Sequence, residues 1–488
     1  LSQWMGREVI VRVDKLPENS GALDALVISD DLKNANSIYR EPLRPQFHFS
    51  SKCGWLNDPN GLVYHDGQYH LFYQHNPFGW SWGNMHWGHA ISSDLVHWEE
   101  LGDALHPDEM GPMFSGSGVV DWMNTSGLGV DGNPPLAFFY TAAGNPTVQC
   151  LATSTDGGRT LVKFSGNPIL KQITAGNRDP KVIWHAPSKQ WIMTLYVGHE
   201  GADKDANGKP KRRDTIQFLK SSDLKTWTYL SENAGYYECP DFFELPLDGD
   251  ATRRKWVLTA ANSDYQVGRF DGKVFTPETP MLKGVRGRGF YAAQTYSDVP
   301  AEDGRRIQIG WLRADSPDMP FNQCMSLPLE LRLVTQNDGP RLTWTPVKEL
   351  EGLRAKTNEL AMAKLAAGDA NPLAAIKADL LELEVECGDP ANAESLTFNL
   401  HGRVVTIDLK KREVRSGDIV TALESKSGPI KLHFYCDRTT VEIFGDDGLT
   451  YMTIPALAKP DDLGNSLKAG GGEVRGLRLI AHELHSTW

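Results

Sequence analysis

Three acidic residues in the sequence share one local pattern. Asp58, Asp179 and Glu238 each stand one or two residues before a proline, and each is followed by a turn and then by a strand-like run of aromatic and aliphatic residues. Carboxyl groups that are brought together can attack an electrophilic carbon, activate water and donate a proton. A single Asp-Pro often only begins a turn, but three such segments in phase indicate one shared site.

These residues belong to a repeat that runs along the chain. Repeated units begin at residues 58, 118, 179, 238 and about 290, which gives a period of roughly 50–60 residues. A second marker keeps the same phase, because a Ser-x-Asp segment occurs at residues 92–94, 154–156 and 221–223. Each unit holds about four short strands separated by Gly, Pro, Asn or Asp turns, which is typical of a propeller blade. The repeat predicts an all-β fold with a five-bladed β-propeller; the alternative is a generic all-β sandwich with evenly spaced turns.

A propeller places the first strand of every blade around one central axis. The three acidic side chains are therefore expected to converge, and their proximity should raise the pKa of at least one of them. Cleavage of a glycosidic bond requires two carboxyl groups, because one attacks the anomeric carbon or activates water while the other protonates the departing oxygen. Arg178 directly precedes Asp179 and is expected to hold that carboxylate ionised.

Aromatic and polar residues near the acidic segments suit a sugar ligand. Tryptophan rings offer flat apolar faces to a sugar ring, whereas amide and guanidinium groups offer directional hydrogen bonds. The candidates of these two kinds are Trp55, Trp82, Trp87 and Trp311, and Asn57, Gln74 and Arg178. For each tryptophan, a place in the core is the alternative.

The composition and strand pattern of the sequence also predict how the chain is divided into domains. An Ala-, Leu- and Lys-rich stretch at residues 360–367 indicates a linker with a possible short helix, and alternating strands follow it. The predicted segments are an N-terminal extension or accessory-domain remnant at 1–40, the propeller at 41–345, the linker at 346–379 and an antiparallel β-sandwich at 380–488.

Composition argues against several classes of partner. The net charge of −12 argues against a nucleic-acid substrate, and no apolar run approaches the roughly 18 residues of a membrane span. The six cysteines form no CxxC pair, which predicts free thiols. His86 and His89 are expected on opposite faces of one strand, which argues against a metal site. We therefore expect no metal or other cofactor, no nucleic-acid partner and no membrane insertion.

Four motifs resemble the signatures of glycoside hydrolase family 32, which contains invertases, inulinases and levanases. They are Trp55-Leu56-Asn57-Asp58-Pro59-Asn60-Gly61, Phe114-Ser115-Gly116-Ser117, Arg178-Asp179-Pro180 and Glu238-Cys239-Pro240-Asp241. The resemblance covers about residues 45–488 and implies a five-bladed propeller, a C-terminal β-sandwich and a retaining mechanism.

The resemblance also implies roles for individual residues. Asp58 would be the nucleophile that forms a fructosyl-enzyme intermediate, Glu238 would act as acid and base, and Asp179 would bind ring hydroxyls and stabilise the transition state. The residues that would line the fructose pocket are Asn57, Gln74, Trp82, Phe114, Ser115, Arg178 and Trp311.

Within the family, Asn57-Asp58-Pro59 resembles the exo-acting members, so release of terminal fructose from levan or inulin is the favoured function. A sucrose-preferring invertase, a fructosyltransferase and a non-catalytic fructan-binding propeller are the alternatives. Two departures from the family, Gly289 in place of the usual Asp and the segment 314–325, are expected to border the pocket. The chain begins with Leu1 and not Met, so we expect a removed targeting segment or a trimmed chain, and secretion or a periplasmic location.

Overall fold

The computed structural model describes residues 35–204, 210–458 and 464–488, together with Gly6 and Glu8. The chain divides into two units, residues 1–41 and residues 42–488. The described part of the first unit contains a 3-10 turn at Ala35–Ser37, while most of the N-terminal extension predicted at residues 1–40 lies outside the described residues. Among the described residues, no helix has the length and apolar character that a membrane span requires.

The second unit begins with three propeller blades that follow one another in the chain. Each contains a four-stranded antiparallel sheet whose strands are consecutive. The strands are β1 (Gly54–His65), β2 (Gln68–Asn76), β3 (His86–Ser92) and β4 (Glu99–Leu105); β5 (Met113–Val120), β6 (Leu136–Ala142), β7 (Val148–Ser154) and β8 (Val162–Lys163); and β9 (Arg178–His185), β10 (Gln190–Lys204), β11 (Pro210–Ser221) and β12 (Thr228–Ala234).

The last two blades share one sheet, joined by the parallel pair Leu247 and Leu333. The strands of blade four are β13 (Asp241–Leu247), β14 (Asp250–Thr259), β15 (Tyr265–Phe270) and β16 (Phe275–Pro277). The next strands are β17 (Arg286–Gly287), β18 (Phe290–Thr295), β19 (Arg306–Leu312), β20 (Phe321–Asn322), β21 (Cys324–Met325), β22 (Leu329–Gln336) and β23 (Gly339–Pro346). Blade five consists of β18, β19, β22 and β23 with β21 paired to β19, while β20 pairs with β1 and so joins the last blade to the first.

The sequence repeat has a local structural cause. Two of the predicted turns, Asp66-Gly67 and Asp248-Gly249, have positive φ at both residues and close two-residue hairpins, as Asp-Gly does in tight turns. The Ser-x-Asp marker follows the third strand of blades one to three. In each case the serine hydroxyl donates to the aspartate two residues later, at 3.0 Å for Ser92, 2.7 Å for Ser154 and 2.9 Å for Ser221. The five-bladed propeller that the repeat predicts is confirmed.

Apolar side chains between neighbouring blades form the core of the propeller. Between blades one and two, Phe72 and Trp87 pack with Phe138 and Tyr140, and all four are fully buried. Trp87 is therefore a core residue, and its Nε1 donates to the Phe114 carbonyl oxygen at 3.0 Å. Of the two alternatives given for this tryptophan, the core position is the one found, because strand β3 directs the ring between blades one and two and not towards a sugar.

The rest of the chain forms a β-sandwich of two antiparallel sheets. Its strands are β24 (Arg354–Ala366), β25 (Leu381–Asp389), β26 (Ser395–Leu400), β27 (Arg403–Asp408), β28 (Glu413–Ser416), β29 (Ile419–Ala422), β30 (Ile430–Cys436), β31 (Thr440–Gly445), β32 (Thr450–Pro455), β33 (Asn465–Gly470) and β34 (Glu473–Leu484). One sheet has the order β32-β31-β30-β25-β34-β24, with β17 paired parallel to β32, and the other has the order β29-β28-β27-β26-β33. Three further 3-10 turns lie at Ala186–Ser188, Lys348–Leu353 and Asp446–Gly448.

Strand β24 corrects one part of the predicted organisation. The linker with a possible helix at 346–379 is wrong for residues 354–366, which pair along their length with β34. Leu360 and Met362 pack against the sandwich core while the alanines beside them are exposed. Edge pairing and this alternating burial outweigh the helix propensity of an Ala- and Leu-rich stretch.

A buried cluster of charged groups joins the propeller to the sandwich. His48, which precedes β1, lies 2.8 Å from Asp437 Oδ2 through Nδ1 and 3.0 Å from Glu442 Oε1 through Nε2. All three side chains are completely buried. Burial opposes a charge on His48, but the hydrogen bonds and charges of the two carboxylates outweigh it and raise the pKa of His48 to about 9. The cluster therefore stabilises the interface as an ion pair network.

Candidate active site

The inner strands of the propeller are irregular where the predicted site residues lie. Strand pairing shifts between Leu56 and Pro59 in β1, between Phe114 and Gly116 in β5, and between Tyr291 and Gln294 in β18. A similar shift in the pairing of β9 with β10 occurs next to Asp179. Bulges of this kind redirect side chains and are frequent near active sites.

Backbone conformation at the site is also unusual. The φ angles of Asp179, Glu238, Cys239 and Ala292 are 63°, 41°, 43° and 50°, in the left-handed region that residues with side chains seldom adopt. Strained residues of this kind cluster at functional sites. The blades thus present Asp58, Asp179 and Glu238 to one cavity, as the convergence of inner strands predicts.

Asp58 is held by hydrogen bonds on both carboxylate oxygens. The Ser115 hydroxyl donates to Oδ2 at 2.6 Å, and the Asn57 amide donates to Oδ1 at 3.0 Å. Trp55 in turn donates from Nε1 to Asn57 Oδ1 at 2.9 Å, which fixes the orientation of the amide. Burial raises the pKa of Asp58, the hydrogen bonds from Ser115 and Asn57 lower it, and the charge of Glu238 raises it.

Glu238 is positioned by residues of two other blades. Arg178 donates to its Oε2 from Nε at 3.1 Å and from Nη2 at 2.6 Å, and the Tyr291 hydroxyl donates to its Oε1 at 2.6 Å. Arg178 lies farther from Asp179, with 3.6 Å between Nε and Oδ2. The arginine that we expect to serve Asp179 thus donates two of its hydrogen bonds to Glu238, and its guanidinium carbon lies over the ring of Tyr196, 4.5 Å from the ring centroid.

Cys239 connects the two aspartates. Its backbone N–H donates to Asp179 Oδ2 at 3.0 Å, and its thiol lies 3.4 Å from that oxygen and 3.5 Å from Asp58 Oδ2. Burial raises the pKa of Asp179, Arg178 lowers it, and the charges of Glu238 and Asp58 raise it. The expected rise in pKa is therefore found for Asp58 and Asp179, with burial as its largest cause.

The cavity around these acids has a volume of about 240 Å³. Its lining contains every residue predicted for the site except Trp55 and the buried Trp87, together with two that sequence reasoning missed. The lining residues are Asn57, Asp58, Gln74, Trp82, Phe114, Ser115, Arg178, Asp179, Glu238, Tyr291, Trp311 and Arg313. Trp55 lies behind Asn57 with its ring edge-on to Trp311 at a centroid distance of 5.9 Å, so it supports two lining residues.

Tyr291 and Arg313 were missed because the fifth unit carries no acidic marker at its start. The signal available was positional, since Tyr291 is the second residue of inner strand β18 just as Asp179 is the second residue of β9. Of the two departures from the family pattern, Gly289 does not line the cavity, but its carbonyl oxygen accepts a 3.0 Å hydrogen bond from the Arg313 backbone N–H.

Two lining residues have features that favour a ligand. Gln74 is buried, and its Nε2 has no hydrogen-bond partner among the described residues. A buried donor without a partner is costly, and a hydroxyl group of a ligand would satisfy it. Trp82 is 57% exposed and meets Phe114 edge-on at 5.7 Å, so its indole face is available at the rim of the cavity.

A group of possible metal ligands lies elsewhere, in the sandwich. One ligand atom from each of Glu382, Glu384 and His433 lies within 4.8 Å of the others. Arg354 Nη2 is 2.6 Å from Glu382 Oε1 and 3.5 Å from Glu384 Oε1. A guanidinium group thus already compensates these carboxylates, and none of the four residues lines the cavity. All six cysteines are free thiols, as predicted.

Known proteins resemble this chain over most of its length. Residues 48–346 match the family model described as glycosyl hydrolases family 32 N-terminal domain, and residues 349–483 match the family 32 C-terminal model. A levanase of Bacillus subtilis is 37% identical over 502 residues, which cover 93% of this chain and 72% of the levanase. An extracellular exo-inulinase of Aspergillus ficuum is 30% identical, with 92% of this chain and 96% of the relative covered. The crystal structure of an exo-inulinase from Aspergillus awamori superposes with a TM-score of 0.82 at 29% identity, and covers 92% of this chain and 100% of its own.

The propeller, the three carboxyl groups in its cavity and these matches together define a glycoside hydrolase. Within that class, the chain belongs to glycosyl hydrolase family 32. The predicted fold, a five-bladed propeller followed by a β-sandwich, is confirmed.

Proposed function

We propose that this enzyme releases terminal β-D-fructofuranose from levan or inulin with retention of configuration. The observation that carries the proposal is the convergence of Asp58, Asp179 and Glu238 on one cavity. The relatives named levanase and exo-inulinase support a fructan as the substrate class. The cavity of about 240 Å³ is smaller than the roughly 300–1,000 Å³ of sites for drug-sized ligands. A pocket of this size suits one terminal sugar and so supports exo-action.

The reaction proceeds in two displacements. Asp58 attacks the anomeric carbon of the terminal fructosyl unit while Glu238 donates its proton to the glycosidic oxygen, so that one C–O bond forms as another breaks. Glu238, then ionised, takes a proton from water as the water oxygen attacks the same carbon, which releases fructose and restores both carboxyl groups. Hydrogen bonds from Ser115 and Asn57 favour the ionised form of Asp58 that the first step requires.

Asp179 acts without entering the bond changes. Its Oδ2 is held by the backbone N–H and thiol of Cys239, which leaves Oδ1 to accept from hydroxyl groups of the fructosyl ring. A negative charge in this position stabilises the positive charge that develops on the ring in the transition state. Asn57, Gln74, Ser115 and Arg178 bind the polar edge of the sugar, while the rings of Trp82, Phe114 and Trp311 enclose it.

The test is a product profile by chromatography after separate incubation with levan, inulin and sucrose. We expect fructose as the sole early product from a polymer, released faster than from sucrose. Oligosaccharide products would replace exo-action with endo-action, and activity on sucrose alone would assign an invertase. Oligosaccharides larger than the donor would indicate a fructosyltransferase, while binding of levan without release of any sugar would leave a fructan-binding propeller. EDTA is expected to have no effect on any of these rates.

Secretion remains part of the proposal. An enzyme that degrades a polymeric fructan outside the cell has to reach that polymer there, and the Aspergillus relative is described as extracellular. Fractionation of the native host, followed by an activity assay of the medium and of the cells, tests this directly. Activity confined to the cell interior would contradict it.

A further inference from the structure

Arg313 is fixed at the edge of the active-site cavity. It follows β19 directly, and its backbone N–H donates to the Gly289 carbonyl oxygen at 3.0 Å. Its guanidinium carbon lies 4.2 Å from the ring centroid of Tyr291 and 4.6 Å from that of Trp311. Stacking on two rings that themselves line the cavity restrains an exposed side chain that would otherwise be mobile.

The guanidinium group of Arg313 has unused donors. Within residues 35–204, 210–458 and 464–488, no carboxylate lies within ion-pair distance of it, and no acceptor takes a hydrogen bond from its side chain. Arg178, the other arginine of the cavity, already donates to Glu238, Gly176 and Tyr237. A guanidinium group has five N–H donors in a planar fork, so Arg313 can bind oxygen atoms of a ligand.

The position of Arg313 relative to Glu238 indicates which part of a bound substrate Arg313 faces. Tyr291 carries the Arg313 guanidinium on its ring and donates from its hydroxyl to Glu238 Oε1 at 2.6 Å. The general acid of a retaining glycosidase protonates the departing oxygen. The leaving sugar is therefore bound on the side of the cavity where Glu238, Tyr291 and Arg313 lie.

The charge of the site favours a neutral ligand over an anion at Arg313. Three carboxyl groups, Asp58, Asp179 and Glu238, line the same small cavity, against two guanidinium groups. The carboxylate of Asp58, which the first displacement requires to be ionised, would repel a phosphate or carboxylate placed in that cavity. Hydroxyl groups of a sugar accept from a guanidinium without that repulsion.

We propose that Arg313 is a specificity-determining residue that donates hydrogen bonds to the hydroxyl groups of the leaving sugar. The proposal rests on the proposed fructosidase activity of the site. It adds the subsite that distinguishes a sugar leaving group from one without hydroxyl groups. Gly289, Tyr291 and Trp311 hold the guanidinium in place for this contact.

The test compares two substrates in each of three proteins. The substrates are a fructo-oligosaccharide and a nitrophenyl β-fructofuranoside, whose aryl leaving group has no sugar hydroxyls. The proteins are the wild type, Arg313→Ala and, as a matched control, Arg332→Ala, which removes an exposed arginine of the same sheet that pairs with Glu330. In Arg313→Ala we expect the ratio of kcat/KM for the oligosaccharide to kcat/KM for the aryl substrate to fall roughly ten- to hundredfold, the loss of one or two hydrogen bonds from a charged donor.

Every outcome of this experiment either supports or overturns the proposed role of Arg313. Arg332→Ala should keep the wild-type ratio, and turnover of the aryl substrate shows that each variant is folded. An unchanged ratio in Arg313→Ala would overturn the proposal even if both rates fell together. Inhibition of the wild type but not of Arg313→Ala by inorganic phosphate would overturn it in favour of an anion site. Failure of the wild type on both substrates would instead overturn the proposed function, and this proposal with it.

Discussion

Ser115 donates a hydrogen bond of 2.6 Å from its hydroxyl to Oδ2 of Asp58. This bond opposes the burial that raises the pKa of Asp58. A nucleophile must be ionised, so activity falls as the pH drops through the pKa of Asp58. Removing the bond in Ser115→Ala should raise that pKa and move the acidic limb of the kcat/KM profile to higher pH, by roughly one to two pH units for a charge-assisted hydrogen bond.

The matched control is Ser416→Ala, because the Ser416 hydroxyl donates to the Val404 carbonyl oxygen in the sandwich. Its pH profile should coincide with that of the wild type. If Ser115→Ala lowered kcat/KM at every pH without moving the limb, Ser115 would position the substrate and not tune Asp58.

Glu238→Ala should separate the two chemical steps. Loss of the general acid should slow cleavage of a fructan roughly 10²–10⁴-fold. An aryl fructoside with a good leaving group needs no proton, so its first equivalent should be released rapidly in a burst. The steady state that follows should be slow, since the same residue activates water in the second step. Stopped-flow absorbance of the aryl product gives both phases.

Glu232→Ala is the control for this experiment, because Glu232 lies in blade three and pairs with Arg213 at the surface. It should keep wild-type rates on both substrates. If the rate of the first step in Glu238→Ala fell equally for the fructan and the aryl substrate, Glu238 would not be the general acid.

Asp58→Asn should turn the enzyme into a fructan-binding protein. The amide has nearly the shape of the carboxylate and fills the same position, but it cannot attack the anomeric carbon. Calorimetry with a fructo-oligosaccharide should show binding, while chromatography shows no fructose. Asp66→Asn, in the hairpin turn at the far end of the same strand, should bind and cleave as the wild type does. Turnover by Asp58→Asn at more than a small fraction of the wild-type rate would exclude Asp58 as nucleophile.

The pKa of His48 gives stability a definite pH dependence. The folded-state pKa, about 9, lies above the ordinary value of 6.5. Its contribution to the free energy of unfolding is thus fully present below pH 6.5 and is lost as the pH rises towards 9. The full difference corresponds to roughly 3 kcal/mol. Urea unfolding across this range should show the decline.

In His48→Gln the decline should be much smaller, because glutamine does not titrate. The variant should also be less stable at every pH in the range, since two buried carboxylates lose their cation. His97→Gln removes an exposed histidine paired with Asp94 and should retain the wild-type pH dependence. A decline of equal size in His48→Gln would assign it to other groups.

The sequence predicts the repeat well because its signals are local. Asp66-Gly67 and Asp248-Gly249 select a tight turn by their own conformational preferences, and the Ser-x-Asp segments bond within themselves. Once the period is known, convergence of the three acids follows from the geometry of a propeller. These features need no information about distant contacts.

Features that depend on distant contacts could not be predicted in the same way. Arg178 stands beside Asp179 in sequence but donates to Glu238, 60 residues away. Tyr291 and Arg313 come from the fifth unit, where no acidic residue marks the position. Residues 354–366 have a helical composition, and only pairing with β34 makes them a strand.

The N-terminal and C-terminal segments of the second unit are joined by hydrogen bonds. The indole of Trp488 donates to the Pro45 carbonyl oxygen at 2.8 Å, and Thr487 donates from its backbone N–H to Gln46 at 2.8 Å. Asp437 accepts from the backbone N–H groups of both Gln46 and Phe47. The segment that leads into the first blade is therefore clasped by the sandwich. Heat or denaturant should then unfold the propeller and the sandwich in one cooperative transition. Replacing either domain with the equivalent domain of another enzyme would require these contacts to be redesigned as well.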